Sequence, residues 1–107
     1  MLEGVKEGWI TLERVVEKMA HAPAICLQVA ERGFIREGYC ADLVLVNLNK
    51  PWTVQKDNIL YKCGWSPFEG VKFHSAIEKT FVNGNLVYDN GVVDESHYGQ
   101  RLQFKRN

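Results

Sequence analysis

The spacing of apolar residues changes at Gly33, and this change constrains the fold more than any other feature of the sequence. Before it, apolar residues recur three and four positions apart, as on one face of a helix: Leu12, Val15, Val16 and Met19. After it, apolar residues form short runs separated by glycine and asparagine, a pattern typical of strands and turns. Because helices come first and strands follow, the sequence predicts an α+β fold. We expect a helical segment over residues 1–32 and a strand-rich segment over 33–107.

Local signals define the helices of the first segment. Thr11 is a good N-cap residue, and Glu13 follows in the first turn, where the helix dipole favours an anion. Pro23 is expected to stop this helix near His21 and to open a second, shorter helix that continues to Val29. We interpret His21 as a residue that interacts with the terminal carbonyl groups of the first helix, in preference to a metal ligand.

The second segment contains a continuous apolar run and a strong turn signal. The run Leu43–Val46 lacks polar alternation, which predicts a strand covered on both faces. Asn83-Gly84 separates two extended apolar stretches, which predicts a two-stranded hairpin with Phe81 and Val87 near its buried side. A second turn is predicted at 89–91. Between the apolar run and the hairpin, the aromatic residues Trp65 and Phe68 are expected to be buried and to anchor a loop.

Composition excludes several classes of function. A chain of 107 residues has room for one domain, and its 46% hydrophobic and 24% charged residues argue against disorder. Thirteen basic and thirteen acidic residues give zero net charge, so an electrostatic grip on nucleic acid is not expected. The longest apolar run is far shorter than the ~20 residues that cross a bilayer. With no signal peptide at its start, the chain is expected to be soluble and cytoplasmic.

No arrangement of reactive residues in the sequence indicates an active site. The metal-binding residue types are widely and irregularly spaced, and no Cys-x-x-Cys pair is present. We therefore expect free thiols and no metal site. The residues in question are Cys26, Cys40, Cys63, His21, His74 and His97. The residue types of a Ser/His/Asp catalytic triad are present, but no Gly-x-Ser-x-Gly elbow indicates that they form one. These residues are Ser66, Ser75, Ser96, His74, His97, Asp89 and Asp94. Nucleotide-binding glycine motifs do not occur either. We therefore predict no catalytic, cofactor-binding or metal-binding residue in this chain.

Four segments carry a family resemblance. Lys62–Gly70 and Thr80–Tyr88 resemble the C-terminal end of bacterial dihydroorotases, members of the amidohydrolase superfamily. Gly33–Val46 is similar to the Gly-x-Ile-x-x-Gly-x-x-Ala-Asp-Leu stretch found across that superfamily, and Thr11–Ala24 resembles the helix that follows its last barrel strand. Within Lys62–Gly70, the block Cys63–Gly70 points to dihydroorotase, whereas the other segments are shared with allantoinases and dihydropyrimidinases.

The resemblance implies a parent enzyme that interconverts N-carbamoyl-L-aspartate and dihydroorotate in pyrimidine biosynthesis. Such enzymes are hydrolases with a (β/α)₈ barrel that holds zinc through histidines, often a carboxylated lysine, and an aspartate. All of these residues would precede Met1. The sequence His21-Ala22-Pro23 is similar to part of a family Asp-His-Ala-Pro motif, but Ala20 stands in the aspartate position. Zinc is therefore expected in the parent and not in this chain, which alone is expected to be inactive.

The same resemblance implies a structural role for the chain. Residues 1–32 resemble the last helical part of the barrel, and 33–107 resemble strands of a small β-sandwich that the N-terminal strands of the parent complete. The alternatives are a stand-alone, non-catalytic binding or subunit-contact module, and a fragment of an allantoinase or dihydropyrimidinase. Because the missing parts would leave apolar faces and a strand edge open, self-association of the isolated chain is expected.

Overall fold

The structure is a computed structural model, and it describes residues 1–105. Its first part is helical: α1 spans Leu2–Glu7, α2 spans Leu12–Val16, and α3 spans Ala22–Cys26. A π-helical turn over Glu17–His21 joins α2 to α3 without a break in helical conformation. Strands follow, as the α+β prediction requires.

The start of α2 is as predicted. The hydroxyl oxygen of Thr11 accepts a hydrogen bond from the backbone N–H of Arg14 at 3.2 Å. Glu13 lies in the first helical turn, where its charge interacts favourably with the helix dipole.

The prediction that the helix stops near His21 is wrong. Pro23 does lie in the first turn of a short helix, α3, but the chain remains helical through the π-turn that precedes it. Proline cannot donate the bond that an α-helix requires at its position, and a π-turn is a known way to accommodate such a disruption. The helix ends instead at Cys26, short of the predicted Val29, and Gln28 after it has φ +57°. There, Val29 N–H donates to the Ala24 carbonyl at 2.9 Å.

Six strands form two antiparallel sheets. They are β1 Leu43–Asn47, β2 Trp52–Thr53, β3 Lys72–Phe73, β4 Ala76–Val82, β5 Asn85–Asp89 and β6 Val92–Val93. The larger sheet has the order β1-β4-β5-β6, and β2 pairs with β3 in a separate ribbon. A short 3₁₀ turn over Lys56–Asn58 lies between β2 and β3.

The predicted hairpin is present between β4 and β5. Its turn residues Asn83 and Gly84 have φ of +49° and +79°, as a tight hairpin turn requires. Phe81 lies opposite Leu86, and the register shift beside this pair leaves Val87 as the extra residue of a bulge. Phe81 and Val87 are both half-buried. The second predicted turn is also present, and it joins β5 to β6.

Few side chains are fully buried in the described part of the chain. The buried apolar residues there are Val15, Ala24 and Val54. The prediction that β1 is covered on both faces is wrong, because Val44 is 52% exposed and Leu45 50% exposed. Both lie on the edge strand of the larger sheet, and nothing in residues 1–105 packs over them fully.

The aromatic loop between β2 and β3 is also more exposed than predicted. Trp65 is 60% exposed and Phe68 56% exposed, so the prediction that they are buried anchors is wrong. The edge of the Phe68 ring approaches Phe73 of β3, with 6.1 Å between ring centroids, but Phe68 itself remains mostly exposed. Separately, no helix within residues 1–105 has the length and apolar character needed to span a membrane.

Candidate functional site

The residue types that bind transition metals do not converge in the described part of the chain. Within residues 1–105 there is no group of three or more His, Cys, Asp or Glu side chains that could hold a metal ion. The three cysteines are free thiols, with Cys26 and Cys63 exposed and Cys40 half-buried. A catalytic zinc ion requires about three protein ligands. Residues 1–105 therefore do not fit a zinc site.

His21 has a packing role in the structure. Its ring packs against Phe34 in a tilted arrangement with 4.2 Å between ring centroids. It lies within the continuous helical stretch, so the predicted interaction with a helix C-terminus is wrong: the helix continues beyond it to Cys26. The Nδ1 atom of His21 is buried and has no hydrogen-bond partner within residues 1–105.

His74 binds a carboxylate from the other end of the chain. Its backbone N–H donates to Glu3 Oε1 at 2.6 Å, and its ring Nδ1 lies 3.0 Å from Glu3 Oε2. The backbone hydrogen bond, followed by the contact with the ring, holds the pKa of Glu3 below its ordinary value of 4.5. This pair ties α1 to the connection between β3 and β4.

A serine, an aspartate and a histidine come together near the end of the chain, but in the wrong order for catalysis. Ser96 Oγ donates to Asp94 Oδ1 at 2.5 Å, and His97 Nε2 lies 4.0 Å from Asp94 Oδ2. The bonds from the Ser96 hydroxyl and backbone lower the pKa of Asp94. In a nucleophilic triad the histidine lies between serine and carboxylate. Here the carboxylate lies between the other two, so the histidine does not contact the hydroxyl.

The other candidate hydroxyls have structural contacts. Ser66 Oγ accepts from the Phe68 backbone N–H at 3.1 Å, and the buried Ser75 hydroxyl faces the Leu48 carbonyl at 3.5 Å. Asp89 lies 3.7 Å from the ammonium group of Lys79. Within residues 1–105, the structure thus brings Ser96, Asp94 and His97 of the predicted candidate set together around a turn.

The most elaborate polar cluster is one that the sequence did not predict. Asp42 pairs with the guanidinium of Arg32, and its other carboxylate oxygen accepts from the Asn83 backbone N–H at 2.9 Å. Arg32 Nη2 also donates to Asn83 Oδ1 at 3.4 Å. The Arg32 side chain is only 12% exposed. We call these three residues the Asp42 junction.

The Asp42 junction joins three parts of the chain. Arg32 follows the helices, Asp42 precedes β1, and Asn83 begins the β4–β5 turn. Backbone bonds reinforce it, from Gly84 N–H to the Ala41 carbonyl at 3.0 Å and from Cys40 N–H to the Glu31 carbonyl at 3.0 Å. The available sequence signal is an aspartate immediately before an apolar strand. Because both carboxylate oxygens are occupied, the arrangement locks segments together and offers no free base.

Comparison with known proteins identifies relatives of this chain. Residues 1–87 match the model of the amidohydrolase family. The chain is 31% identical over 102 residues to a dihydroorotase from Pyrococcus furiosus and 34% identical over 86 residues to a dihydroorotase from Endomicrobium trichonymphae. These matches cover 95% and 80% of this chain but only 24% and 20% of the two relatives.

Solved structures give a consistent result. The L-hydantoinase (dihydropyrimidinase) from Arthrobacter aurescens matches with a TM-score of 0.76 and 33% identity, over 87% of this chain and 21% of that one. A D-hydantoinase matches with a TM-score of 0.75 and 26% identity, over 85% of this chain and 20% of that one. The chain therefore spans about a quarter or less of the length of these relatives.

Proposed function

The chain belongs to the amidohydrolase family, and we propose that it is the C-terminal part of a dihydroorotase, with a structural and not a catalytic role. The parent enzyme would interconvert N-carbamoyl-L-aspartate and dihydroorotate. The observation that carries this proposal is the similarity to dihydroorotases along 95% of the chain, which corresponds to 24% of the relative's length. Zinc, the substrates and a cytoplasmic location belong to the same proposal for the parent.

The exposed surface supports a role as part of a larger protein. The chain exposes 8384 Å² at a mass of 12.3 kDa, whereas a folded monomer of that mass exposes about 6,100 Å². Its radius of gyration is 15.7 Å, against about 13 Å for a compact domain of the same length. The excess surface includes apolar side chains of α2 and β1. We propose that the rest of the parent covers these faces.

Within the parent, the two segments would have different places. Residues 1–32 would be the last helical part of the (β/α)₈ barrel, and residues 33–107 would form part of a small β-sandwich. The four-stranded antiparallel sheet with β1 at one edge supports this assignment, because an edge strand with exposed apolar residues is suited to pair with a further strand. N-terminal strands of the parent would supply that pairing.

The isolated chain is expected to lack dihydroorotase activity and to bind no stoichiometric zinc. Residues 1–105 contain no group of three or more metal-binding side chains, and the Ser96 hydroxyl contacts the Asp94 carboxylate and not a histidine. Assays of dihydroorotate hydrolysis and metal analysis of the purified chain test this expectation. Turnover above background, or one tightly bound zinc ion per chain, would contradict it.

A second candidate is a parent that acts on hydantoins or dihydropyrimidines, as the names of the matching structures suggest. The 33% identity to the L-hydantoinase supports this alternative. Sequencing the gene upstream of Met1 is the decisive experiment. A longer reading frame that encodes the zinc ligands would exclude a stand-alone binding module. Assays of that longer product with dihydroorotate, dihydrouracil and a substituted hydantoin then separate the two substrates. Hydrolysis of hydantoin but not dihydroorotate would overturn the first candidate.

A further inference from the structure

A cleft of about 470 Å³ opens beside the C-terminal end of α3. It is bounded by that helix end, by the segment over residues 32–39 and by the C-terminal tail. Its described lining contains three basic side chains and no acidic one; the polar and aromatic lining residues are Gln28, Arg32, Phe34, Arg36, Tyr39 and Lys105. We call this the basic cleft. Its volume lies within the range of about 300–1,000 Å³ that is usual for sites of small ligands.

Arg36 is held in the basic cleft by aromatic rings. The central carbon of its guanidinium lies 4.2 Å from the centroid of the Phe34 ring and 5.6 Å from that of Tyr39. Its Nη1 also lies 3.4 Å from the Tyr39 hydroxyl. Cation–π contacts of this kind orient the guanidinium without neutralising its charge. The group is therefore positioned in advance to receive an anion through paired N–H donors.

Lys105 reaches the basic cleft on a part of the tail that is itself fixed. Its backbone N–H donates to the Gln28 carbonyl at 2.8 Å, and Ala30 N–H donates to the Gln103 carbonyl at 2.8 Å. These bonds place the backbone of Lys105 next to the C-terminal end of α3. Of the three basic residues, Arg32 has its charge balanced by Asp42 in the Asp42 junction. Arg36 and Lys105, which come from different segments of the chain, thus supply the positive charge of the cleft.

We propose that the basic cleft binds a small organic dianion, such as a phosphate monoester or a dicarboxylate. Both ligand classes present pairs of charged oxygens that a guanidinium can bind in a fork, while an ammonium group adds a second positive charge. The aliphatic walls formed by Ile25 and Val29 would contact the carbon skeleton. This proposal does not depend on the proposed function, since it needs no catalytic step and no other part of a parent enzyme.

The test is a titration of the full 107-residue chain with inorganic phosphate and, separately, with succinate, followed by two-dimensional NMR at low ionic strength. Acetate and glycerol serve as a monoanion and a neutral control. Saturable shifts confined to residues 24–39 and 103–105 are expected with phosphate, with succinate, or with both, and the pattern identifies the ligand class. Arg36→Gln should weaken binding at least about tenfold, because it removes charged hydrogen bonds.

Further variants distinguish binding at a specific site from a general effect of surface charge. Arg36→Lys retains the charge and loses the fork, so it should bind more weakly than the unsubstituted chain and more tightly than Arg36→Gln. Lys105→Gln provides a second variant should Arg36→Gln not fold. Lys18→Gln, which removes an exposed lysine outside the cleft, should leave binding unchanged. Shifts that do not saturate, or equal losses in Lys18→Gln and Arg36→Gln, would overturn the proposal.

Discussion

Gly33 shows how closely the chain approaches its own helix. Its φ is +84°, and a Cβ added there would lie 2.5 Å from the Ala24 Cβ and 2.8 Å from the Ala20 carbonyl oxygen. Such distances leave no room for a side chain of any size. The residue at which the apolar spacing changes is therefore also the residue at which the returning backbone contacts the helix.

We expect Gly33→Ala to lower the free energy of unfolding by about 3 kcal/mol, since it combines overpacking with a left-handed backbone. Urea denaturation measures this change. Gly38→Ala is the matched control, because Gly38 has φ +82° but no neighbouring atom within 4 Å of an added Cβ. The control should lose only about 1 kcal/mol. Equal losses in the two variants would show that the close approach to the helix is absent.

The contact between Glu3 and His74 gives a pH-dependent contribution to stability. Because the pKa of Glu3 is lowered in the folded state, the contribution is complete above the ordinary value of 4.5 and is lost as the pH falls through the folded value. Glu3→Gln should therefore destabilise the chain at about pH 6 and destabilise it less at about pH 4. Denaturation curves at both pH values test this, and a difference that grows toward acid would contradict it.

Residue-level predictions from the sequence succeeded where the cause was local. The Thr11 cap depends on the next few residues, and it formed as predicted. The interpretation of His21 failed because its environment is set by Phe34, which approaches only after the chain turns at Gly33. The Asp42 junction was missed for a similar reason, since it joins residues 41 positions apart.

At the level of elements, the β4–β5 hairpin is the clearest case of sequence defining structure. We expect Gly84→Val to cost about 2 kcal/mol, because a β-branched residue resists the positive φ of the turn. Steric contact adds little, since the nearest atom to an added Cβ, Ala41 Cβ, lies 4.0 Å away. Gly84→Asn is the control and should cost much less. Thermal unfolding is the measurement, and a valine variant that melts within about one degree of the unsubstituted chain would contradict the turn.

The path of the helices and the burial of β1 were harder to predict. Pro23 normally marks a boundary, but here the π-turn absorbs its missing hydrogen bond and the helix continues. The apolar run Leu43–Val46 indicates what the strand is suited to contact, and its burial depends on whether that contact lies in the same chain. Periodicity therefore predicted the strand correctly and its surroundings incorrectly.

For the whole molecule, the open apolar faces lead us to expect self-association of the isolated chain. Met19 is 64% exposed on the helical face, and Val44 is 52% exposed on the edge strand. Zero net charge provides little repulsion between copies. Light scattering at about 50 μM should give at least twice the monomer mass of 12.3 kDa.

A substitution in β1 tests whether the edge strand is responsible for the self-association. Val44→Lys places a charge on the edge strand and should shift the population toward monomer. Asn49→Lys adds the same charge in the turn after β1 and should leave the association unchanged. An unsubstituted chain that is monomeric at this concentration would show that its apolar faces are covered in another way.

The pairing of the tail with the end of α3 has a consequence for the order in which the chain can fold during synthesis. The residues around Val29 leave the ribosome well before their antiparallel partner Phe104 does. Contacts between such distant positions form slowly, because a long loop must close first. The helices can form as they emerge, whereas the edge beside Val29 stays open until the segment that contains Phe104 has emerged. A ribosome stalled before Gln103 would therefore hold a nascent chain whose helix end is still accessible to a chaperone.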